Sequence, residues 1–315
     1  MSIDKDTVLR LKGRGFLRNR GIDNFSGRVV VAGGVYTESS LKAIAECAKL
    51  YGNGIVSFTS RLNAEIVGIP AEKVEDAEKF LAANGLSFGG TGAKVRPITA
   101  CKGTTCVFGN ADTQAIARML HERFYLGMRA VSLPHKFKIG VGGCPNSCMK
   151  PSLNDVGIEA RAYFTYDRDA CRACPKCGAM TACRSGAIRT ATDGRAEFSE
   201  ADCRHCGLCI GKCPFGAFPK EKTTRFLITV GGTWGKIRRD GTSLSCTVDE
   251  ASIGDAVETI LLWYRKHGYI GERLGATVDR VGMSSLEAAI LDGSLLSLRE
   301  EILAAPLTPR PEVKG

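Results

Sequence analysis

The spacing of apolar positions along this chain changes several times, and each change predicts an element. Residues 28–36 (RVVVAGGVY) run apolar into a double glycine, which reads as a strand entering a turn. Residues 39–51 then place Leu41, Ile44, Cys47 and Ala48 on one face at helical spacing. A strand at 54–59 and an apolar patch at 65–69 follow, and Pro70 opens a helix over 71–84. Strand, helix, two strands and a helix make a compact α+β layer. Residues 94–100 and 137–142 read as strands that each feed a cysteine loop, with a helix at 111–126 between them. After a segment of different character, the pattern resumes with a strand at 225–232. A helix runs from Asp249, as N-cap, to His267, and a last helical signal covers 284–302. The proline-rich end, PLTPRPEVKG, predicts a frayed tail.

The segment of different character is 165–222, where apolar runs are short and cysteines dense. The chain has 14 cysteines in 315 residues and no apolar leader at its start, so disulfides are disfavoured and metal is favoured. Cys47 and Cys246 stand alone, and both are read as core residues. The other twelve fall into sets of four: 101, 106, 144, 148; 171, 174, 177, 183; and 203, 206, 209, 213. Cys-x-x-Cys-x-x-Cys occurs at 171–177 and again at 203–209, a duplication within an inserted module. Cys203, Cys206, Cys209 and Cys213 followed by Pro214 match the bacterial two-cluster ferredoxin run, in which the fourth cysteine serves the other cluster. That rule assigns Cys171, Cys174, Cys177 and Cys213 to one 4Fe–4S cluster. It assigns Cys203, Cys206, Cys209 and Cys183 to a second. Paired Cys-x-x-Cys units can also bind zinc, but a triple run ending in Cys-Pro favours iron–sulfur. The remaining pairs, Cys101/Cys106 and Cys144/Cys148, suit zinc or a cluster by spacing alone. Gly142 and Gly143 would let backbone approach a cofactor there.

Leu133-Pro134-His135-Lys136-Phe137-Lys138, running through Gly142-Gly143-Cys144-Pro145-Asn146-Ser147-Cys148 to Asp155-Val156-Gly157-Ile158, resembles the signature of the sirohaem-dependent nitrite and sulfite reductases. Gly33-Gly34, Tyr51-Gly52-Asn53-Gly54 and Thr59-Ser60-Arg61-Leu62-Asn63 resemble that family's N-terminal half. Val230 to Lys236 and Gly271-Glu272-Arg273-Leu274-Gly275 resemble its C-terminal half. The inserted module makes the chain similar to the anaerobic sulfite reductase C subunit and to dissimilatory-type enzymes. The resemblance implies an α+β reductase fold with a ferredoxin-like half over 1–92 and a sirohaem/4Fe–4S domain over 93–164 and 223–315. The two-cluster module at 165–222 interrupts that domain. It implies sirohaem coupled through Cys148 to a third 4Fe–4S cluster on Cys101, Cys106, Cys144 and Cys148. It also implies an anion cage of Arg61, Lys136 and Lys138. Thr59, Arg28, Thr233, Trp234, Lys236, Arg238 and Arg239 are the expected further contacts to the macrocycle. Three departures bear on substrate preference. Four residues separate Cys101 from Cys106 where many relatives have five. Gly142 replaces a larger residue, and Val30 and Ala32 stand where an arginine and a proline are usual. Arg28, on the same strand face as Val30, would compensate.

Composition adds less. Apolar residues make up 44%, enough for a sizeable core and too many for a disordered chain. The net charge of +10 fits neutralisation of thiolate clusters and a polycarboxylate macrocycle. It does not fit nucleic-acid binding, because the basic residues form no run and match no reader motif. No run is long enough to cross a membrane, and the expected compartment is the cytoplasm. His135 is read as structural or at the haem edge, and His205 as solvated. With no Gly-x-Gly-x-x-Gly after a strand, a nucleotide is not expected. Ferredoxin or flavin/iron–sulfur subunits would then supply electrons, in a homo- or hetero-oligomer. The expected reaction is six-electron reduction of sulfite. Nitrite reduction is the enzymatic alternative, and a polyferredoxin without a substrate site is the alternative of another class.

Overall fold

The computed structural model describes residues 3–312. The N-terminal layer runs α1 (Lys5–Arg14), β1 (Phe16–Arg18), β2 (Asn24–Val29), α2 (Glu38–Tyr51), β3 (Val56–Phe58), β4 (Ala64–Pro70) and α3 (Val74–Ala83). Its antiparallel sheet has the order β1-β2-β4-β3. Thr37 starts α2 by accepting the Ser40 N–H at 3.1 Å, so a sequence of modest helix propensity begins at a defined residue. Ala43, Ile44, Cys47 and Ala48 then face the sheet, where Phe16, Phe25, Ile66 and Ile69 are fully buried.

The second layer contains β5 (Thr99–Ala100), α4 (Thr113–Leu120), β6 (Ile139–Gly142), β7 (Val156–Tyr163), β10 (Thr223–Val230) and β11 (Thr242–Ser243). The sheet order is β11-β10-β7-β6-β5. β5, β6 and β7 are parallel, while β10 pairs antiparallel with β7 along its whole length, from Thr223↔Tyr163 to Val230↔Val156. Helices α6 (Ile253–His267), α7 (Leu274–Val281), α8 (Met283–Asp292), α9 (Ser294–Ser297) and α10 (Arg299–Ala304) complete it. α6 is buried almost all round, with Trp263 and Tyr264 inside, as expected of a helix packed between sheet and helices.

Between β7 and β10 the chain leaves the sheet at Tyr163 and returns at its register partner Thr223. The excursion holds α5 (Gly178–Ala182), the hairpin β8 (Ile188–Thr190) with β9 (Ala196–Phe198), and a small core around Phe218. Phe164, Tyr166 and Phe198 surround Phe218 with ring centroids 4.9–6.4 Å away. So few buried apolar groups would barely stabilise a module of this size, and Cys171, Cys177, Cys183 and Cys213 pack against them.

Several elements differ from the sequence reading. The strand expected over 28–36 is β2, which runs from Asn24 and stops at Val29, because the Val30 N–H leaves the sheet to donate to the Ser87 carbonyl at 3.0 Å, and Gly33 and Gly34 then turn the chain at positive φ. The strand expected over 94–100 is reduced to β5 plus a single bridge, Val95↔Phe137. The 111–126 helix becomes a π-helix over His121–Leu126. The 284–302 helix is three helices, broken at Gly293 in the left-handed region. Ser252 is the N-cap of α6, and Asp249 instead accepts the Ser252 N–H. The tail is pinned where Thr308 pairs with Tyr269, although residues 313–315 lie outside the described residues. Cys246 is exposed, not core, because residues 244–248 form no continuous strand. Cys47 is buried, which pushes its thiol up to about 12.

Candidate functional site

β5 and β6 run side by side and each ends in a cysteine loop, so Cys101 and Cys106 arrive next to Cys144 and Cys148. Contact between the loops depends on two glycines. A Cβ on Gly143 would stand 2.9 Å from the Gly103 Cα, and a Cβ on Gly103 would stand 2.6 Å from Thr113 Cγ2. Gly142 and Gly143 thus admit neighbouring protein: Pro151 for the first, the facing loop for the second. The four cysteines line one cavity of about 320 Å³ with Leu62, Phe108 and Met149. The Gly143 N–H points at Cys101 Sγ, at 3.2 Å. Burial raises the Cys144 thiol, and the three other thiols add to the rise. Cys148 is exposed, with Lys102 on the cavity wall beside it. Four soft donors around a void, glycine-lined and with a backbone N–H aimed at sulfur, fit a 4Fe–4S cluster. An exposed thiol at its edge fits an additional metal ligand.

The module contains the other eight cysteines. Burial pushes the Cys209 thiol up to about 12, with Cys203, Cys206 and Cys183 close enough to contribute. These four line a second cavity. The His205 N–H reaches Cys203 Sγ at 3.3 Å, while its ring stacks on Tyr163 at 4.0 Å and its Nε2 meets Glu200 at 3.4 Å. His205 is therefore held in place and not solvated. Cys177 caps α5, where a Cβ on Gly178 would stand 2.7 Å from the Lys212 carbonyl, so the Cys177 and Cys213 turns adjoin. The Ala196 N–H donates to Cys171 Sγ at 3.3 Å. Burial works against the Cys213 thiolate, but the N–H groups of Phe215, Phe218, Ala217 and Gly216 outweigh it and lower the thiol.

A third cluster is cationic and lies at the other end of the same strands. The Arg61 guanidinium is enclosed, and its Nη atoms donate only to neutral oxygens: Asn154 Oδ1 at 2.8 Å, Pro97 O at 2.8 Å and Ile139 O at 3.4 Å. Its buried Nε has no partner, and neither does the buried Nε of Arg96. Burial pulls both guanidiniums down to about 10. Burial, then Arg61 and Arg273, pull the Lys138 ammonium down to about 8, with Asp155 opposing. Lys136 is lowered by burial and by Arg273 and Arg96. Asp155, fully buried, accepts from Arg273 at 2.8 Å and from the Lys138 N–H at 2.9 Å. Burial raises this carboxyl, and Arg273 opposes the rise. Among the described residues Arg61, Arg96, Lys136 and Lys138 have no carboxylate within ion-pair distance. Cations withdrawn from water without a counter-ion are expensive, and such a cluster suits an anion.

The nitrite and sulphite reductase 4Fe-4S domain matches residues 91–294, well over half of the chain, and the nitrite/sulfite reductase ferredoxin-like half domain matches residues 19–84. This chain belongs to the nitrite and sulphite reductase family. The coenzyme F420-dependent sulfite reductase of Methanocaldococcus jannaschii is 34% identical over 79% of this chain, which spans only 39% of that relative's length. The anaerobic sulfite reductase C subunit of Salmonella typhimurium is 29% identical over 75% of this chain and 73% of its own. The crystal structure of dissimilatory sulfite reductase I has the same fold, with a TM-score of 0.66 at 20% identity over 92% of this chain and 72% of that one. The resemblance and the α+β reductase fold read from the sequence therefore hold.

Within this reductase chain, Arg61, Lys136 and Lys138 come together. His135, placed by the strand reading on the far side from Lys136, sits instead in a bend where its Nδ1 accepts the Lys136 N–H at 2.7 Å. Arg28 pairs with Glu65 and donates to Gly90 O, so its charge is largely spent. Arg239 is tied to Asp279 and Gly231 O, and Arg238 to Asp240. Thr233 bridges Arg239, Lys236 is exposed, and Trp234 lies under the Lys150 ammonium at 5.4 Å. Thr59 is used locally, its Oγ1 accepting the N–H groups of Arg61 and Asn63. Sequence reasoning missed Arg96 and the Arg273–Asp155 pair. Arg96 lies five residues before Cys101, and Asp155 and Arg273 lie in quoted motif strings, but no local pattern marks any of them as facing the lysines.

Proposed function

We propose that this chain is a sirohaem-dependent reductase that takes sulfite to sulfide, fed with electrons through the ferredoxin-type module. The observation that carries the reading is the pairing of a four-thiol cavity with a cluster of four half-buried cations lacking ion-pair partners among the described residues. Cys101, Cys106, Cys144 and Cys148 would hold the coupled 4Fe–4S cluster, with exposed Cys148 as the thiolate shared with sirohaem. Bound sirohaem would supply the redox-active iron. Arg61, Arg96, Lys136 and Lys138 bind and orient the oxyanion. Lys138, with its lowered pKa, is suited to hand over a proton as each S–O bond breaks. Six electrons and six protons convert hydrogensulfite to hydrosulfide and three waters. The two module quartets, Cys171/Cys174/Cys177/Cys213 and Cys183/Cys203/Cys206/Cys209, would hold the clusters that accept electrons from ferredoxin or flavin/iron–sulfur partners. Sulfite is preferred because both named relatives are sulfite reductases. Parallel anaerobic turnover of sulfite and nitrite decides, and a higher kcat/KM for nitrite would reverse the preference.

A further inference from the structure

Residues 107–111 lie between the Cys101/Cys106/Cys144/Cys148 cavity and the Cys183/Cys203/Cys206/Cys209 quartet. Phe108 lines the first, and the Arg184 guanidinium, next to Cys183, stands 5.7 Å from the centre of its ring. Asn110 touches both sides. Its backbone N–H donates to the Gly143 carbonyl at 2.8 Å, and Gly143 is bonded to Cys144. Its side-chain Nδ2 donates to the Cys206 carbonyl at 3.4 Å. Lys222 Nζ donates to Asn110 Oδ1 at 3.0 Å, and Thr224 Oγ1 donates to the Asn110 carbonyl at 3.0 Å, which fixes the amide from the β10 side. Gly207, at φ +79°, passes so close that a Cβ there would stand 3.1 Å from Asn110 Oδ1. The Cys171/Cys174/Cys177/Cys213 quartet shows no such link to the cavity among the described residues, and exposed Arg172, Lys176, Lys212 and Phe215 surround it.

We infer that the module quartets act in series, with the Cys203 quartet the inner one, and that Asn110 is the positioning residue of the junction. It joins Cys206 to Cys144 through two hydrogen bonds and its own backbone. In each transfer one electron leaves the reduced inner cluster and reduces the oxidised cluster on Cys144. A low-potential one-electron donor protein then refills the module through the outer quartet. The inference rests on the reading of the quartets as 4Fe–4S sites.

Pulse radiolysis of the anaerobically purified holoprotein tests it. Less than one electron per chain is delivered, and its redistribution from module to Cys101 quartet is followed optically. Iron content and the oxidised spectrum are measured first, and wild-type protein without clusters would overturn the underlying reading and the inference with it. Asn110→Asp is isosteric and keeps the Lys222 contact but cannot donate to Cys206. It should slow redistribution about 10–100-fold with clusters intact. Lys222→Met removes the fixing contact but not the donation, and should change the rate less than threefold. Equal slowing in both variants would reduce Asn110 to a docking contact and overturn the inference, as would an unchanged rate in Asn110→Asp. Cys206→Ala should abolish transfer from module to cavity, and Cys174→Ala should leave transfer from the inner quartet within twofold of wild type. Transfer surviving in Cys206→Ala protein would overturn the proposed order.

Discussion

Lys138 carries its charge against burial, with Arg61 and Arg273 nearby, and its ammonium is pulled down to about 8. Below that pH it is a cation that can hold an oxyanion and give up a proton, and above it the charge is lost. The kcat/KM for sulfite should therefore fall above about pH 8, approaching a decade per pH unit. Lys138→Arg, charged throughout, should remove that limb from the profile, and a limb that persists would assign it to another group. Lys138→Met should retain iron and haem yet lose roughly two to three decades of sulfite turnover. Asp155 makes a different prediction, because it is fully buried and held by Arg273 and the Lys138 N–H. Asp155→Asn leaves a guanidinium without its counter-ion and should cost about 3–5 kcal/mol in chemical unfolding. A change within about 1 kcal/mol would show that water or another anion already compensates Arg273.

Among the elements, the two cysteine loops and the module would carry the proposed chemistry and should respond differently to damage. Cys209 belongs to the Cys183/Cys203/Cys206/Cys209 quartet and packs into the module's own small core. Cys209→Ser should thus lower turnover with a protein donor far more than turnover with a small reductant. Equal losses would mean that the module serves folding and not electron entry. The cysteine sets and the amphipathic helix at 38–51 were legible from local spacing. So was the helix after Pro70, though its first turn is 3-10 and proline sits at the cap. Strand lengths were not, since β2 ends at Val29, before the Gly33-Gly34 turn is reached, and β5 keeps only two residues of ladder. Cys246 alternates with Leu244 and Val248 as a buried strand would, yet only isolated pairing to β10 forms there and the thiol faces out. Arg96 and Asp155 could not be found from sequence, because their meaning comes from contacts across the sheet with Arg61, Lys138 and Arg273.

On the scale of the whole molecule, parallel β5 and β6 separate two groups of side chains. Cations gather before the strands and thiols after them, and the antiparallel β7–β10 pair holds the module beside the thiols. Four of the chain's cations, Arg61, Arg96, Lys136 and Lys138, are thereby gathered where an anionic substrate would need them. Among the described residues no helix is long and apolar enough to cross a membrane. The central claim is that one chain assembles three clusters and a haem. Anaerobic purification from cells able to make sirohaem, followed by iron analysis and a visible spectrum, tests it most directly. The account predicts about thirteen irons per chain, twelve in three clusters and one in the macrocycle, with a chlorin-type band that shifts on adding sulfite. Full cluster iron of about twelve with no such band would contradict it and leave an electron carrier without a substrate site.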